Sequence, residues 1–581
     1  MRSHGLVINL IAVLVGLSSG IAAVVFKLLI NLNSLLFFDT LLPRISLQVY
    51  GYNLAVIILP ALGASVAALI TTRLTRESKG HGIPQVMESM SFSGGRMRYR
   101  VAPVTSIVSS ITIGSGGSAG REGPIAQIGA SLGSTAGQAL RLSDRDVELL
   151  VVCGLASGIA ATFNAPLGGA IFAIEVLLRR YRLSDSIPVL LACVLGTAVA
   201  GLLPSSFISF PALSFASPAP AELLLYAAFG LTFGVLSAIW VRYFYLVEGL
   251  FEKGRSVHKV LKIAAGGLLT GLVGMPFFMQ SISAGDETGY GIYGVGYEGI
   301  VLLLAGGIPI AFALLLGVVK MLCTSFTLGS GASGGLLVPS LYVGSMFGGA
   351  VGLTLSELAP SLVPAPFALA SVGAAALLAG AYGTPIASIL IIPEMYMSSS
   401  PTIFYLLLPL TLSCSLAHIT ARKLLGGSTI NTLALERRGI RLDQLAEQPR
   451  PEVLGEIQVK DVMSKNFVSV SPDTAVSKVI HMLNSSGHSA LPVVESGQLL
   501  GVVNYVEAIR VPPDATERTY AKGLVRTMGS VTPDETLDQV LKKMRRYGSD
   551  IMPVVEKNRK ERFLGVITRS DFMKKYGSEK Q

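Results

Sequence analysis

The sequence predicts a mainly α-helical, multi-pass membrane protein. Its spanning part reads as an internally duplicated, broken-helix domain, and a small α/β tail follows it. Three observations carry this. Of 581 residues, 51% are hydrophobic and only 14% are charged, with mean hydropathy +0.60. A soluble chain carries ~25% charge, so a soluble globular protein and a disordered one are both excluded. The charge is also uneven: 42 of the 82 Asp, Glu, Lys and Arg lie from Asn431 onward, in the last 151 residues. Finally, Gly accounts for 63 residues, many of them clustered where apolar runs are interrupted.

Long apolar runs recur at about 5–33, 51–73, 146–161, 187–209, 222–250, 258–279, 306–326 and 402–421. Each approaches the ~20 residues of a spanning helix. The first is too long for a signal-peptide core and lacks a small-residue cleavage site, so it reads as the first membrane helix. Shorter pieces cut by Gly and Pro lie at about 101–114, 122–140, 166–180, 337–356, 366–380 and 385–397. These read as too short or too broken to span simply. Such backbone survives at membrane depth only when protein buries it or water lines it, which points to a transport site.

The broken pieces repeat. GSGGSAGREGPIAQIGASLG at 114–133 aligns with GSGASGGLLVPSLYVGSMFG at 329–348, an offset of 215. Pro166 and Glu175 align with Pro385 and Glu394, an offset of 219. Two blocks in one order imply a duplicated membrane domain with its site at the repeat interface; the sequence leaves open whether the repeats are inverted. A second duplication fills the tail, where 468–503 resembles 529–567, with Pro472, Gly487 and Pro492 matching Pro533, Gly548 and Pro553. Each unit reads as a strand, an amphipathic helix, two strands and a helix. The resulting division is a permeation domain at 1–430, a connector at 431–456, and modules at 457–510 and 511–581.

Neither part concentrates basic residues in a block, so nucleic acid is not an expected partner. Cys153, Cys193, Cys323 and Cys414 sit in apolar segments without metal-ligand spacing, and no metal site is expected. His481 and His488 read as surface or core residues.

The densest chemistry lies in GSGGSAGREGP, 114–124. Glycines admit close backbone approach, and the helix that follows presents free N–H groups and a positive dipole end suited to an anion. Arg121 adds positive charge or faces a polar surface. Glu122 is the unusual member, because an acid at that place competes with an anion. It reads either as functional, like most ionisable groups at membrane depth, or as an acid complementing the helix dipole.

GREGP and the glycine run before it resemble the central signature of the CLC chloride channels and transporters, and the resemblance covers nearly the whole chain. It implies that Glu122 is an external gate, displaced by anion or neutralised by proton. KGHGIPQV at 79–86 resembles the family's first anion-binding loop, usually GSGIP, with His81 where Ser is commonest, followed by Gly82 and Ile83. Arg121 and Gly123 flank the gate. GGLLVP at 334–339 resembles the GGIFAP-like motif, so Leu336 and Leu337 would present backbone amides to the anion. GGSTINTLAL at 426–435 aligns with the segment carrying the central anion-binding Tyr and places Asn431 there; its amide can also donate, from a shorter side chain.

The proton-transferring glutamate of family antiporters falls at Val176, which carries no proton. Glu175, one residue earlier, is either the displaced proton carrier or a structural acid echoed by Glu394. On this ground the preferred expectation is a passive, gated chloride channel, with chloride/proton exchange as the alternative and a cation transporter as the more distant one. No enzymatic activity is expected. The resemblance further implies a homodimer in a bacterial inner membrane, transporting chloride and similar anions.

Both tail units resemble CBS domains, which places the tail in the cytoplasm. GVITRSD at 565–571 matches the ribose-contacting pattern, with Thr568 and Asp571 as candidates; GVVNYVE at 501–507 offers Asn504 at the same offset. ATP or another adenine nucleotide is the implied ligand; otherwise the pair mediates dimer contacts. No cofactor is required for transport.

Overall fold

The computed structural model describes residues 2–49, 52–74, 81–179, 181–203, 209–253, 258–283, 289–360, 365–437, 457–465, 467–486, 490–508, 511, 515–526, 529–547, 549, 551–557, 562–568 and 571. The chain forms two compact units, Met1–Ile440 and Arg441–Gln581. Part of the expected connector, and with it Gly487, His488 and Gly548, lies outside the described residues.

The first unit opens with α1 (Arg2–Ser34), α2 (Leu42–Arg44), the hairpin β1 (Gln48–Val49) and β2 (Tyr52–Asn53), α3 (Leu59–Leu74) and α4 (Ile83–Ser93). Then come α5 (Val101–Gly114), α6 (Glu122–Ala139), α7 (Asp144–Phe163), α8 (Pro166–Ala173), α9 (Leu183–Gly201) and α10 (Pro220–Lys253). The second half holds α11 (Lys259–Ser283), α12 (Tyr297–Leu304), α13 (Ile310–Gly329), α14 (Leu337–Leu358), α15 (Pro366–Tyr382), α16 (Pro385–Tyr396), α17 (Leu407–Leu424) and α18 (Ile430–Glu436). Among the described residues, nine helices are long and apolar enough to cross a membrane. The chain is an integral membrane protein, and the many exposed Leu, Ile and Val side chains on α1, α9, α10 and α17 are what a lipid-facing surface requires.

The breaks have local causes. Ser143 caps α7 by accepting from the Asp146 N–H, and Asp144 and Asp146 complement the dipole. Helix α7 ends at Asn164, which is left-handed, and Pro166 restarts the chain as α8. In the second half, Gly383 is left-handed and Pro385 starts α16 in the same way. The apolar run at 51–73 begins helix only at Leu59, because Asn53 accepts from the Ala55 N–H and holds residues 54–57 in a 3-10 turn. Helix α14, expected as a broken piece, is an unbroken helix of 22 residues. Helix α18 belongs to the first unit rather than to a connector starting at residue 431: Ile430 and Leu435 are buried, and the Tyr245 hydroxyl on α10 donates to the Ile430 carbonyl.

The two halves meet through equivalent atoms. Gly120 and Gly335, 215 residues apart, exchange both backbone hydrogen bonds at 2.7 Å as an antiparallel pair. Gly129 of α6 packs on Gly154 of α7, and Gly344 of α14 packs on Gly373 of α15; a Cβ on any of the four would stand 2.0–2.5 Å from the opposing carbonyl oxygen. Glu175 accepts from the Ile386 and Ala387 N–H groups at the start of α16, at 3.2 and 3.0 Å. Glu394 accepts from Leu167 and Gly168 at the start of α8, at 3.0 and 2.7 Å. Each half thus caps a helix of the other. The antiparallel Gly120–Gly335 pairing and this reciprocity are those of repeats related by a two-fold axis.

In the second unit, α19 (Val476–Ser486), β3 (Ala490–Glu495), β4 (Gln498–Asn504) and α20 (Tyr505–Ala508) form one module, and α21 (Leu537–Tyr547), β5 (Ile551–Val555) and β6 (Phe563–Thr568) the other. The hairpins are antiparallel, with Leu491 opposite Val503 and Met552 opposite Ile567. The modules interlock: Arg526 pairs with Val502 of β4, and Ser464 pairs with Val566 of β6. At these crossings Gly501 and Gly565 leave room for the passing backbone, where a Cβ would lie 2.5 and 2.4 Å from a carbonyl oxygen.

Candidate functional site

Three helix starts converge on one point. His81 and Gly82 precede α4, Glu122 opens α6, and Gly335 and Leu336 precede α14. Gly82, at φ 84°, packs against the Gly123 carbonyl, and Gly123 lies against the His81 carbonyl and the Gly335 Cα, so side chains are excluded at all three glycines. Ile83, Leu336 and Leu337 are buried beside them. The first N–H groups of each helix have no partner within the helix, and three dipole ends favour negative charge between them.

Glu122 occupies that place and is fully buried. Its Oε1 accepts from the Tyr297 hydroxyl at 2.9 Å and lies 3.5 Å from Arg121 Nε. Its Oε2 is buried and has no hydrogen-bond partner among the described residues. Arg121 is held in turn by the Thr162 carbonyl and stacks 5.4 Å from the Tyr297 ring centroid. Asn431, the second residue of α18, is 4% exposed and its Nδ2 donates to nothing among the described residues. An orphan buried donor is a costly feature unless something else accepts from it.

A cavity lies on each side. One, of about 730 Å³, is lined by Arg121, Tyr297, Lys27, Asp39 and Glu298. The other, of about 250 Å³, is lined by His81, Gln85, Glu248, Glu252, Lys262 and Arg437. Glu122 lines neither: its carboxylate contacts Tyr297 and Arg121 of the first, and its neighbour Gly123 packs on His81 of the second.

Val176 is buried in the π-helical turn Ile174–Leu178 after α8. Neither it nor Glu175 shares a hydrogen bond or ion pair with Glu122 among the described residues; the carboxylate of Glu175 is taken up by α16. Sequence reasoning missed Tyr297, Glu248 and Lys320. Lys320, fully buried on α13, donates to the Gly291, Ile292 and Gly294 carbonyls at 2.6, 3.3 and 3.1 Å, and so fixes the loop that delivers Tyr297. The signal was present: GYGIYGVGYEG at 289–299 is a second glycine-dense segment, with tyrosines between its glycines.

In the tail, Asp571 Oδ2 accepts from the Thr568 N–H and hydroxyl, each at 2.8 Å, and Oδ1 accepts from Ser464 at 3.0 Å. Asn504 ends β4, and Glu507 pairs with Arg526. Thr568 and Asp571 are thus joined to each other, while Asn504 stands at the matching end of the other hairpin.

Residues 63–422 match the family described as voltage gated chloride channel, and residues 459–514 and 525–578 match the CBS domain. The chain belongs to the CLC family. Among its relatives, the H(+)/Cl(-) exchange transporter ClcA of Vibrio parahaemolyticus is 30% identical over 451 residues, 76% of this chain and 92% of its own length. A slow cyanobacterial Cl−/H+ antiporter shares the CLC fold with TM-score 0.63 and 24% identity, over 76% of this chain and 99% of its own. A eukaryotic CLC transporter does so with TM-score 0.63 and 19% identity, over 98% of this chain and 99% of its own. Anion transport through a CLC-type membrane domain, with a CBS tail, is thus the function class of this chain.

Proposed function

We propose that this protein exchanges chloride for protons, with Glu122 as the shared anion-and-proton gate. The observation that carries the reading is a buried carboxylate placed where three helix starts invite an anion, with one oxygen unpartnered and a cavity on either side. Chloride would displace the carboxylate by taking the space between the helix starts; a proton would neutralise it and release it. His81, Gly82, Ile83, Gly123, Leu336, Leu337 and Asn431 would then bind the anion through backbone N–H groups and, at His81 and Asn431, side-chain donors. Arg121 would draw anions into the wider cavity.

The distribution of charge supports an orientation. Segments 202–219, 284–309, 359–365 and 397–406 carry no Lys or Arg, whereas 179–182 carries three and 253–262 carries four. Positive loops stay inside, so the narrower cavity, with Lys259, Lys262 and Arg437, faces the cytoplasm.

Val176 alone favours the passive channel, and that is the second reading. Exchange is preferred because relatives such as the Vibrio parahaemolyticus ClcA are named exchangers. Glu175 does not replace the missing glutamate in this account: its mirror residue Glu394 is an acid doing the same capping. Liposomes loaded with chloride test the proposal. Outward chloride movement that drives protons inward against their gradient supports exchange, and a reversal potential equal to that of chloride alone refutes it. Glu122→Gln should abolish proton movement and leave chloride flux independent of pH. A homodimer with one pathway per subunit, and an adenine nucleotide held near Thr568, Asp571 and Asn504, complete the proposal.

A further inference from the structure

In the proposed exchange, protons reach Glu122 from the cytoplasmic side, and the position at Val176 supplies no group to carry them. The structure offers another. His81 is buried at 8% exposure, with its ring edge-on to Phe244 at 4.9 Å between centroids. Its Nε2 lies 3.9 Å from Glu248 Oε1, beyond a direct hydrogen bond but within reach of a water or a small rotation. Both residues line the 250 Å³ cavity. We propose that His81 and Glu248 form the cytoplasmic proton-binding pair of this transporter; the inference rests on the exchange reading.

The surroundings suit that task. Facing the pair are Gln85 on α4, Glu252 on α10, Lys259 and Lys262 on α11, and Arg437 just past α18, whose Nε is 3.7 Å from Glu248 Oε2. Lys259, Lys262 and Arg437 set positive charge around Glu248, and the Glu248 carboxylate sets negative charge against the imidazole. Imidazole is the side chain whose ordinary titration range spans neutral pH. The family's commoner serine at this position can donate to an anion but cannot store a proton. The pair is also next to the gate, since the His81 carbonyl is packed on Gly123, the neighbour of Glu122. Other carboxylates near the missing position are committed: Glu175 and Glu394 each hold two backbone N–H groups.

The step makes and breaks only N–H and O–H bonds. A hydronium ion in the cavity gives its proton to Nε2 of neutral His81, leaving an imidazolium against the Glu248 carboxylate. The imidazolium then returns the proton to a water that delivers it to the Glu122 carboxylate, and neutral His81 is restored.

The test uses the full chain in liposomes, with chloride and pH electrodes recording together. Wild type, His81→Ser, Glu248→Gln and Glu248→Asp are compared by protons moved per chloride, a ratio that does not depend on the amount of active protein. The ratio should fall about tenfold or more in His81→Ser and Glu248→Gln, and Glu248→Asp should retain most of it. Chloride flux in each variant reports that it is folded; if either removal variant carries none, its counterpart decides. An unchanged ratio in the removal variants overturns the pair while leaving exchange intact. A wild type that moves no protons overturns exchange, and the pair with it.

Discussion

Replacing Tyr297 with Phe removes one hydroxyl and nothing else. That hydroxyl is the donor to Glu122 Oε1 at 2.9 Å, and it sits in a buried site where no bulk water replaces it. A hydrogen bond to a charged group contributes about 1.5–3 kcal/mol, or a factor of about 10–100 in an equilibrium at 1.4 kcal/mol per tenfold. The Arg121 contact at 3.5 Å remains, so the carboxylate is loosened rather than freed. In the proposed exchange, chloride competes with that carboxylate for the space between the helix starts. The chloride concentration giving half-maximal flux should therefore fall by about 10-fold or more, within the same factor of 10–100. Isotope uptake into liposomes across a chloride series, at fixed pH, measures it. An unchanged half-maximal concentration, with the variant folded and transporting, would refute the competition between Glu122 and anion.

Lys320→Met should act in the same direction as Tyr297→Phe, because the loop it releases is the one that positions Tyr297; a chloride dependence identical to wild type would separate the two. Glu175→Gln and Glu394→Gln should each lower the melting temperature in detergent by similar amounts, the equivalent of about 1 kcal/mol for a weakened helix cap, and loss of proton coupling in only the first would give Glu175 a role beyond capping. Gly154→Val should prevent folding or cost about 1–3 kcal/mol or more, since even a Cβ there stands 2.0 Å from the Gly129 oxygen; normal yield and melting would contradict the packing. Asn431→Tyr should tighten chloride binding and slow turnover, checked by calorimetry and flux on the same preparation.

The periodicity of hydrophobic runs located most membrane helices to within a few residues, because lipid imposes length and apolarity on each one. The broken pieces were legible for a different reason: Gly and Pro at offsets of 215 and 219 mark helix ends, and those ends are where the structure breaks. What could not be read was pairing across the sequence. Tyr297 reaches Glu122 over 175 residues, and Glu248 reaches His81 over 167, through contacts that leave no local period. Helix α14 was misjudged because glycines that look like breaks are instead packing positions: Gly344 and Gly348 lie against α15 inside a continuous helix. Helix α18 was misplaced because the rise in charge past residue 431 marks a change of solvent for the chain as a whole, while one short helix with a buried face still docks on α4 and α15.

The duplication explains how such a site can be built at all. A two-fold axis brings the starts of α6 and α14 face to face through Gly120 and Gly335, so two dipole ends are aimed at one point by symmetry alone. Symmetry by itself would make a static anion trap. Function requires that the two halves differ there, and they do: the residue equivalent to Arg121 is Leu336, and the residue equivalent to Glu122 is Leu337. One half carries a buried carboxylate, the competitor in the proposed exchange; the other offers only backbone. Where the halves remain alike, as with Glu175 and Glu394, the shared chemistry is structural, because each acid satisfies the helix of the opposite half. Equivalence across the axis therefore sorts scaffold from mechanism. On the proposed reading it sets Glu122 in the mechanism and Glu175 in the scaffold by the same criterion.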